Sequence, residues 1–176
     1  MTHLDFKKVT KFTDSGKTIQ VVPLKELHYT INRFQEKYNL ELNPDFQRGH
    51  VWTEKQQIAF VEYVLKGGFL QPIRLNHNDW MNFKDPNPVM VCVDGLQRVT
   101  ALLKFMSDEL PIFGGYYFKD IDNVDWWKYD IPIAINALKT RKEVLNWYIE
   151  LNTGGTLHTD EEIDRVKNLL ESESGN

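Results

Sequence analysis

Apolar residues recur at two spacings along this chain, and the changes from one spacing to the other divide it into elements. The alternating run Thr18-Ile19-Gln20-Val21-Val22 predicts a strand, and Pro23 then suits the first position of a helix whose Leu24, Leu27, Ile31, Phe34 and Tyr38 share one face. A second helix is marked by Thr53 and Gln56 as a capping box, an apolar stripe of Ile58, Val61, Val64 and Leu65, and a stop at Gly67-Gly68. Gln71 to Leu75 reads as a short extended piece, Asn76 to Pro88 as a polar loop, and Val89 to Val93 as a strand. That strand is apolar on both faces, which predicts a central place in a sheet. Asp94-Gly95 leads into a helix with Leu96, Val99, Leu102, Leu103 and Met106 on its core side. A strand over Ile131–Leu138 follows, then a helix opening at Thr140 with Glu143 as its box partner, and a last one opening at Thr159 with Glu162.

These shifts come at the spacing of supersecondary units, with no internal repeat or low-complexity linker between them. The expectation is one mixed α+β domain over residues 18–171, with about five helices and short strands, preceded by an extension (1–17) and followed by a short tail (172–176). The pattern does not fix the order of strands in the sheet. A length of 176 residues with 41% apolar side chains fits a domain of that size. No apolar run approaches the roughly 20 residues that a bilayer crossing needs, and the start MTHLDFKKVTKF lacks the apolar stretch of a signal peptide, so a cytoplasmic chain is expected. Cys92 is the single cysteine; it excludes an internal disulfide and a multi-cysteine metal site, and reads as a small buried hydrophobe.

The formal charge of -4 sits at one end. Residues 157–176 hold six acids against Arg165 and Lys167, while residues 1–156 carry 19 basic and 19 acidic side chains. A neutral body argues against non-specific grip on duplex nucleic acid through phosphate neutralisation, and leaves room for a local basic pocket. Six acids are too few to support nucleic-acid mimicry by the tail, which reads as a solvated helix.

Candidate chemistry lies where elements end. Asp94-Gly95-Leu96-Gln97-Arg98-Val99-Thr100 puts a glycine and two polar side chains in the first turn of a helix leaving a buried strand. Free backbone N–H groups and the positive end of the helix dipole face outward there, and an arginine can fork onto phosphate or carboxylate oxygens. The competing reading makes Asp94 an N-cap, Gln97 its box partner and Arg98 a surface residue. A second pair, in Pro44-Asp45-Phe46-Gln47-Arg48-Gly49-His50-Val51-Trp52, stands just ahead of the Thr53 helix. The two pairs can converge on one polyanion, or Arg48 can pair with Asp45 or Asp94 and hold the two loops together.

Three further features carry a structural and a functional reading each. Asn152-Thr153-Gly154-Gly155 supplies left-handed backbone at a helix end, or closes over a ligand. Trp126-Trp127 folds a loop back onto the core, or offers a face to a nucleobase; Trp52 and Trp147 read as core. His50 is a solvated loop residue, or a phosphate contact that titrates near neutrality.

At these residues the chain resembles the N-terminal domain of GmrSD-type modification-dependent restriction systems. The resemblance rests on three motifs in order: Pro44-Asp45-Phe46-Gln47-Arg48 with Val51-Trp52, then Val93-Asp94-Gly95-Leu96-Gln97-Arg98, then Asn152-Thr153-Gly154-Gly155 with Leu157, Glu161 and Glu162. It spans about residues 18 to 170. The resemblance implies a ParB/sulfiredoxin-like α+β fold whose aspartate-glycine-glutamine-arginine turn binds a nucleoside triphosphate and, in characterised members, hydrolyses it to license DNA cleavage. Asp94, Gly95, Gln97 and Arg98 fall on that turn, and Gln47 and Arg48 on the first motif. This chain departs at Leu96, where the family usually has a glutamine. Members that cut DNA commonly add a nuclease domain with a His-Asn-His metal site. Here His3, His28, His50, His77 and His158 are scattered, and Asn76-His77-Asn78 is a polar loop, so cleavage by that route is not expected of these residues.

The expected site is therefore nucleotide- or phosphate-binding, made of Gln47, Arg48, Asp94, Gly95, Gln97 and Arg98, with Thr100 and Asn152 as supporting groups. Asp94, Gln97 and Arg98 would carry any hydrolysis, Gln97 by orienting a water, and Asp94 would orient Arg48 or hold Mg2+. The expected partners are the nucleotide and either DNA or a separate nuclease subunit. Two rival readings remain: a binding or regulatory module without turnover, and a stand-alone DNase in which Asp94 with Glu62 or Asp45 holds a divalent ion.

Overall fold

A computed structural model describes residues 5, 18–47, 49, 51–80, 84–85, 87–153 and 160–173. Arg48, His50, the Gly154-Gly155 turn and the Thr159 cap lie outside the described residues. The elements are β1 (Thr18–Pro23), α1 (Leu24–Tyr38), α2 (Glu54–Leu65), β2 (Ile73–His77), β3 (Met90–Asp94), α3 (Leu96–Met106), β4 (Asp130–Asn136), α4 (Arg141–Thr153) and α5 (Asp160–Ser172). The α+β expectation is met, with five α-helices and a four-stranded mixed sheet.

The sheet order is β1-β4-β2-β3; β4 runs antiparallel to β1 and parallel to β2, and β2 runs antiparallel to β3. One face carries the main core, where Ile73, Leu75, Met90, Cys92, Ile133 and Ile135 meet Leu27, Ile31 and Phe34 of α1, Val61 of α2 and Val99, Leu102 and Phe105 of α3. A smaller core on the other face packs Val93 and Phe46 with Leu145, Tyr148 and Val166 of α4 and α5. Two of the three predicted capping boxes fall on described residues, and both form. Thr53 and Gln56 exchange bonds at the start of α2, and Thr140 and Glu143 at the start of α4.

Three expectations change. Pro23 closes β1 and caps α1 instead of opening it. β3 lies at the sheet edge and not at its centre; it is apolar on both faces because each face has its own core, and Glu41 covers its outer edge by backbone bonds to Met90 and Cys92, both 2.9 Å. The predicted polar loop begins too early. Asn76 and His77 belong to β2 and are buried, as is Trp80, and Asn76 is satisfied by donating to the Leu138 carbonyl (3.1 Å) and accepting from its N–H (2.8 Å). A side-chain amide thus extends the β2–β4 pairing past the last strand residues.

Candidate functional site

β3 ends at Asp94 and the chain reverses into α3 through Gly95, which has φ 108°. A Cβ there would stand 3.1 Å from the Cα of Ile73 and 3.3 Å from a guanidinium nitrogen of Arg98. The glycine is therefore required by both backbone conformation and close packing. Gly95 is also the N-cap, so the reading of Asp94 as N-cap with Gln97 as box partner does not hold. Gly95 has no side chain to cap α3, and no acid sits in the helix's first turn. The contrast with its neighbours is chemical. The start of α2 is closed by Thr53 and Gln56, and that of α4 by Glu143, whose carboxylate accepts from the N–H groups of Lys139 and Thr140. Those bonds, first the one from Thr140, hold the Glu143 carboxyl below its usual range. Among the described residues the first turn of α3 has neither kind of partner, and its Leu96 N–H faces the buried thiol of Cys92.

Asp94 does not face that helix end alone. Its Oδ2 accepts from Nη1 of Arg74 at 2.6 Å and from Nη2 of Arg98 at 2.8 Å. Arg98 is further anchored by donating to the carbonyl of Gln71. Two guanidinium groups thus share one carboxylate at a partly exposed site, the side chains being 26%, 15% and 35% accessible for Arg74, Arg98 and Asp94. The local balance is one net positive charge beside a helix N-terminus whose Gly95 and Leu96 are buried. Arg74 was missed in the sequence. The signal was an arginine inserted between Ile73 and Leu75, a charged residue in an apolar strand.

The two glutamine-arginine segments do meet. Gln47 donates to the carbonyls of Cys92 (3.1 Å) and Val93 (3.0 Å) at the end of β3. Gln97 returns the tie: its Oε1 accepts from the N–H groups of Val51 (3.0 Å) and Trp52 (3.1 Å), and its Nε2 donates to the carbonyl of Gly49 (2.7 Å). Both glutamines are engaged with backbone, so they fasten the 47–52 segment to the Asp94 turn. The same segment is held from the other side by α5. Arg165 donates to the carbonyls of Asp45 (2.7 Å), Phe46 (2.9 Å) and Gln47 (3.1 Å), and Arg141 forks onto both oxygens of Asp45, each at 2.7 Å.

The remaining expected members are placed differently. Thr100 is half-buried on α3. Asn152 donates back to Tyr148 of its own helix at 2.6 Å. Leu96 is buried in the core, so the side chain at that position is turned inward. The grouping of Asp94 with Glu62 or Asp45 around a divalent ion does not form. Glu62 accepts from the N–H of Phe113 (2.7 Å), Asp45 is bound by Arg141, and no group of three potential metal ligands exists among the described residues. Trp126 packs on Phe118 and Phe105, whereas Trp127 is half exposed, so the adjacent pair diverges.

Fold and site together define a small α+β domain that presents two arginines and an uncapped helix start at the end of an edge strand. Residues 30–153 match the family described as GmrSD restriction endonuclease, N-terminal domain, and the chain belongs to that family. No curated protein and no solved structure matches the chain. No helix among the described residues is long and apolar enough to cross a membrane.

Proposed function

We propose that this restriction-system domain binds the phosphate chain of a nucleoside triphosphate at the start of α3, and signals occupancy through the 49–52 segment. One observation carries the reading: the uncapped α3 N-terminus beside Arg74 and Arg98, which share a single carboxylate. Backbone N–H groups and guanidinium forks are the groups that hold phosphate oxygens elsewhere in proteins. Asp94 aligns the two guanidiniums, with both ion pairs on Oδ2. Two adjacent cations disfavour a metal ion held by Asp94 alone, so Mg2+ arrives as the companion of the phosphates.

Binding without turnover is favoured over hydrolysis by the state of Gln97. A water-orienting glutamine needs a free carboxamide, and all three of its bonds here go to Gly49, Val51 and Trp52. Occupancy at the α3 start is thereby coupled to Gly49, Val51 and Trp52, and a separate nuclease subunit or DNA would read that segment.

The test is thermal stability of the chain against nucleoside triphosphates with and without Mg2+, with phosphate release measured in parallel. Ligand at 100 times its Kd adds about 2.7 kcal/mol. For a chain of this length that is a rise in Tm of about 5–10 °C. Arg98→Ala and Arg74→Ala should abolish the rise. An equal rise in both variants would remove the site, and phosphate release by the wild-type chain that Gln97→Ala abolishes would overturn the reading of Gln97 as a tie and not a catalyst.

A further inference from the structure

The C-terminal end of α2 carries aromatic rings that neither core covers. Phe69, Tyr116, Tyr63 and Phe113 are 81%, 57%, 49% and 42% exposed. Direct contacts gather them. Glu62 accepts from the N–H of Phe113 at 2.7 Å, and Lys66, one helical turn on, sets its ammonium 5.3 Å from the centre of the Phe113 ring. Tyr63 is the i, i+3 neighbour of Lys66, and its hydroxyl donates to the carbonyl of Phe69 at 3.2 Å. Tyr116 closes the turn that carries Phe113, exchanging two backbone bonds with Ile112, each 2.8 Å. The rings are held outward by the local structure. Phe113 has φ 49°, a conformation that bulky side chains rarely adopt, and Glu62 and Lys66 secure it there. The Tyr63 ring lies on Gly68, where a Cβ would come within 2.3 Å of it, so the glycine lets the chain pass under that ring before Phe69 turns to solvent. At about 200 Å² per fully exposed ring residue, the four present roughly 450 Å². On a soluble monomer an apolar patch of that size is often a binding site.

We propose that this patch binds a short proline-rich segment of another protein. Area, charge and backbone bonding select that occupant. A stable interface between folded partners buries about 800 Å² on each side, well beyond what these rings offer, so an extended segment fits where a second copy of the chain does not. Lys66 stands 3.8 Å from Glu62, and that pair is neutral, so the rings lack the cationic groove that a nucleic-acid strand requires. The N–H groups of Gly67, Gly68, Phe113, Gly115 and Tyr116 all donate within the chain, so the patch presents no strand edge for a partner to extend. A proline segment does without one. It has no N–H to leave unmet, its pyrrolidine rings lie flat on aromatic faces, and its polyproline II form is ordered before it binds. The Tyr116 hydroxyl can donate to one of its carbonyls. The site is independent of the triphosphate reading: α2, 12 residues and about 18 Å long, separates it from the Trp52 segment at the other end of the helix.

The experiment is a fluorescence anisotropy titration of the full chain into labelled decaproline, with a glycine-serine peptide of the same length and an oligothymidine as comparisons, repeated with Phe69→Ser/Tyr116→Ser. Both substituted residues are exposed, so the double variant should melt within about 2 °C of wild type. Phe69→Ser alone serves should the pair fail to fold. Decaproline should bind the wild-type chain at least about tenfold more tightly than the glycine-serine peptide does. The double variant should bring decaproline down to the level of that peptide. Decaproline binding that the double variant leaves unchanged overturns the inference. So does equal wild-type affinity for the two peptides, or no measurable binding of decaproline. Tighter binding of oligothymidine, lost in the double variant, would assign the rings to single-stranded nucleic acid and overturn it too. Concentration-dependent dimerisation that the double variant abolishes would assign them to a second copy of the chain, with the same result. Each of these outcomes leaves the phosphate site standing.

Discussion

Gln97→Ala removes three hydrogen bonds with one substitution, and its cost can be worked from their surroundings. Each neutral bond contributes about 0.5–1.5 kcal/mol net, so the three together set an upper range of about 1.5–4.5 kcal/mol. The bond from Val51 is exposed, and those from Trp52 and to Gly49 are part-buried, so water replaces the first at little loss. About 2 kcal/mol is the resulting figure, and in a chain of this length it lowers Tm by about 4–8 °C. Gln97→Glu separates the components. Its carboxylate still accepts from Val51 and Trp52 but turns an oxygen toward the Gly49 carbonyl, so the 49–52 segment should loosen at the glycine alone.

Differential scanning calorimetry reads the first effect and amide hydrogen exchange the second. In Gln97→Ala the N–H groups of Val51 and Trp52 should lose protection while Val99, bonded to Gly95 within the helix start, keeps its own. A Tm within about 1 °C of wild type would refute the reasoning. So would unchanged protection at Trp52, because the segment would then be held by something other than this side chain. With triphosphate present, the wild type should gain protection at residues 51 and 52 and Gln97→Ala should not.

Three further outcomes follow from single residues. Gly95→Ala combines a positive φ with a Cβ 3.1 Å from backbone, and should destabilise by about 2–4 kcal/mol in urea unfolding. His77 is fully buried, its Nδ1 accepts from the Asp79 N–H at 3.0 Å, and burial lowers its pKa against the opposing charges of Asp79 and Asp85. The folded state thus resists a proton that the unfolded chain takes up. Its contribution is complete above about pH 6.5 and is lost as pH falls below it, with a slope of up to about 1.4 kcal/mol per pH unit, and His77→Asn should remove that slope from the pH dependence of unfolding. The thiol of Cys92 is pushed up to about 12 by burial, so an aromatic disulfide reagent should modify it in denaturant and not in the native protein at pH 8.

What the sequence disclosed was local. The Thr53–Gln56 and Thr140–Glu143 boxes are complete within four residues, and the structure keeps both. The α3 turn was visible for the same reason, as a strand ending, a glycine and a helix pattern in succession. Arg74 was not visible, because its role comes from strand pairing across 20 residues, which no spacing encodes. Asn76 misled in the opposite direction. A polar residue after an apolar run reads as loop, and only a partner 62 residues away makes it interior. β3 shows the same limit: a strand apolar on both faces implies two coverings, and the position in the sheet depends on which elements supply them.

The glutamine-arginine pairs were legible as positions and not as roles. Both glutamines were expected near a ligand, and both are engaged in joining one segment to the other. This sharpens the division of labour at the site, because a segment fixed by Gln47 and Gln97 on one side still needs a hold on the other. Arg165 and Arg141 supply it, the first through three backbone carbonyls and the second through Asp45. Arg165 lies beyond residues 30–153, so the motif that begins at Pro44 is shaped in this chain by a helix outside the matched region. A guanidinium that bonds only to backbone constrains the path of the chain and leaves the identity of its side chains free. The cations that remain turned to the α3 start, Arg74 and Arg98, are those whose counter-charge is shared. Among the described residues at this junction Arg141 and Arg165 are held by internal partners, whereas Arg74 and Arg98 share one carboxylate, and it is on that difference that the proposed anion site rests.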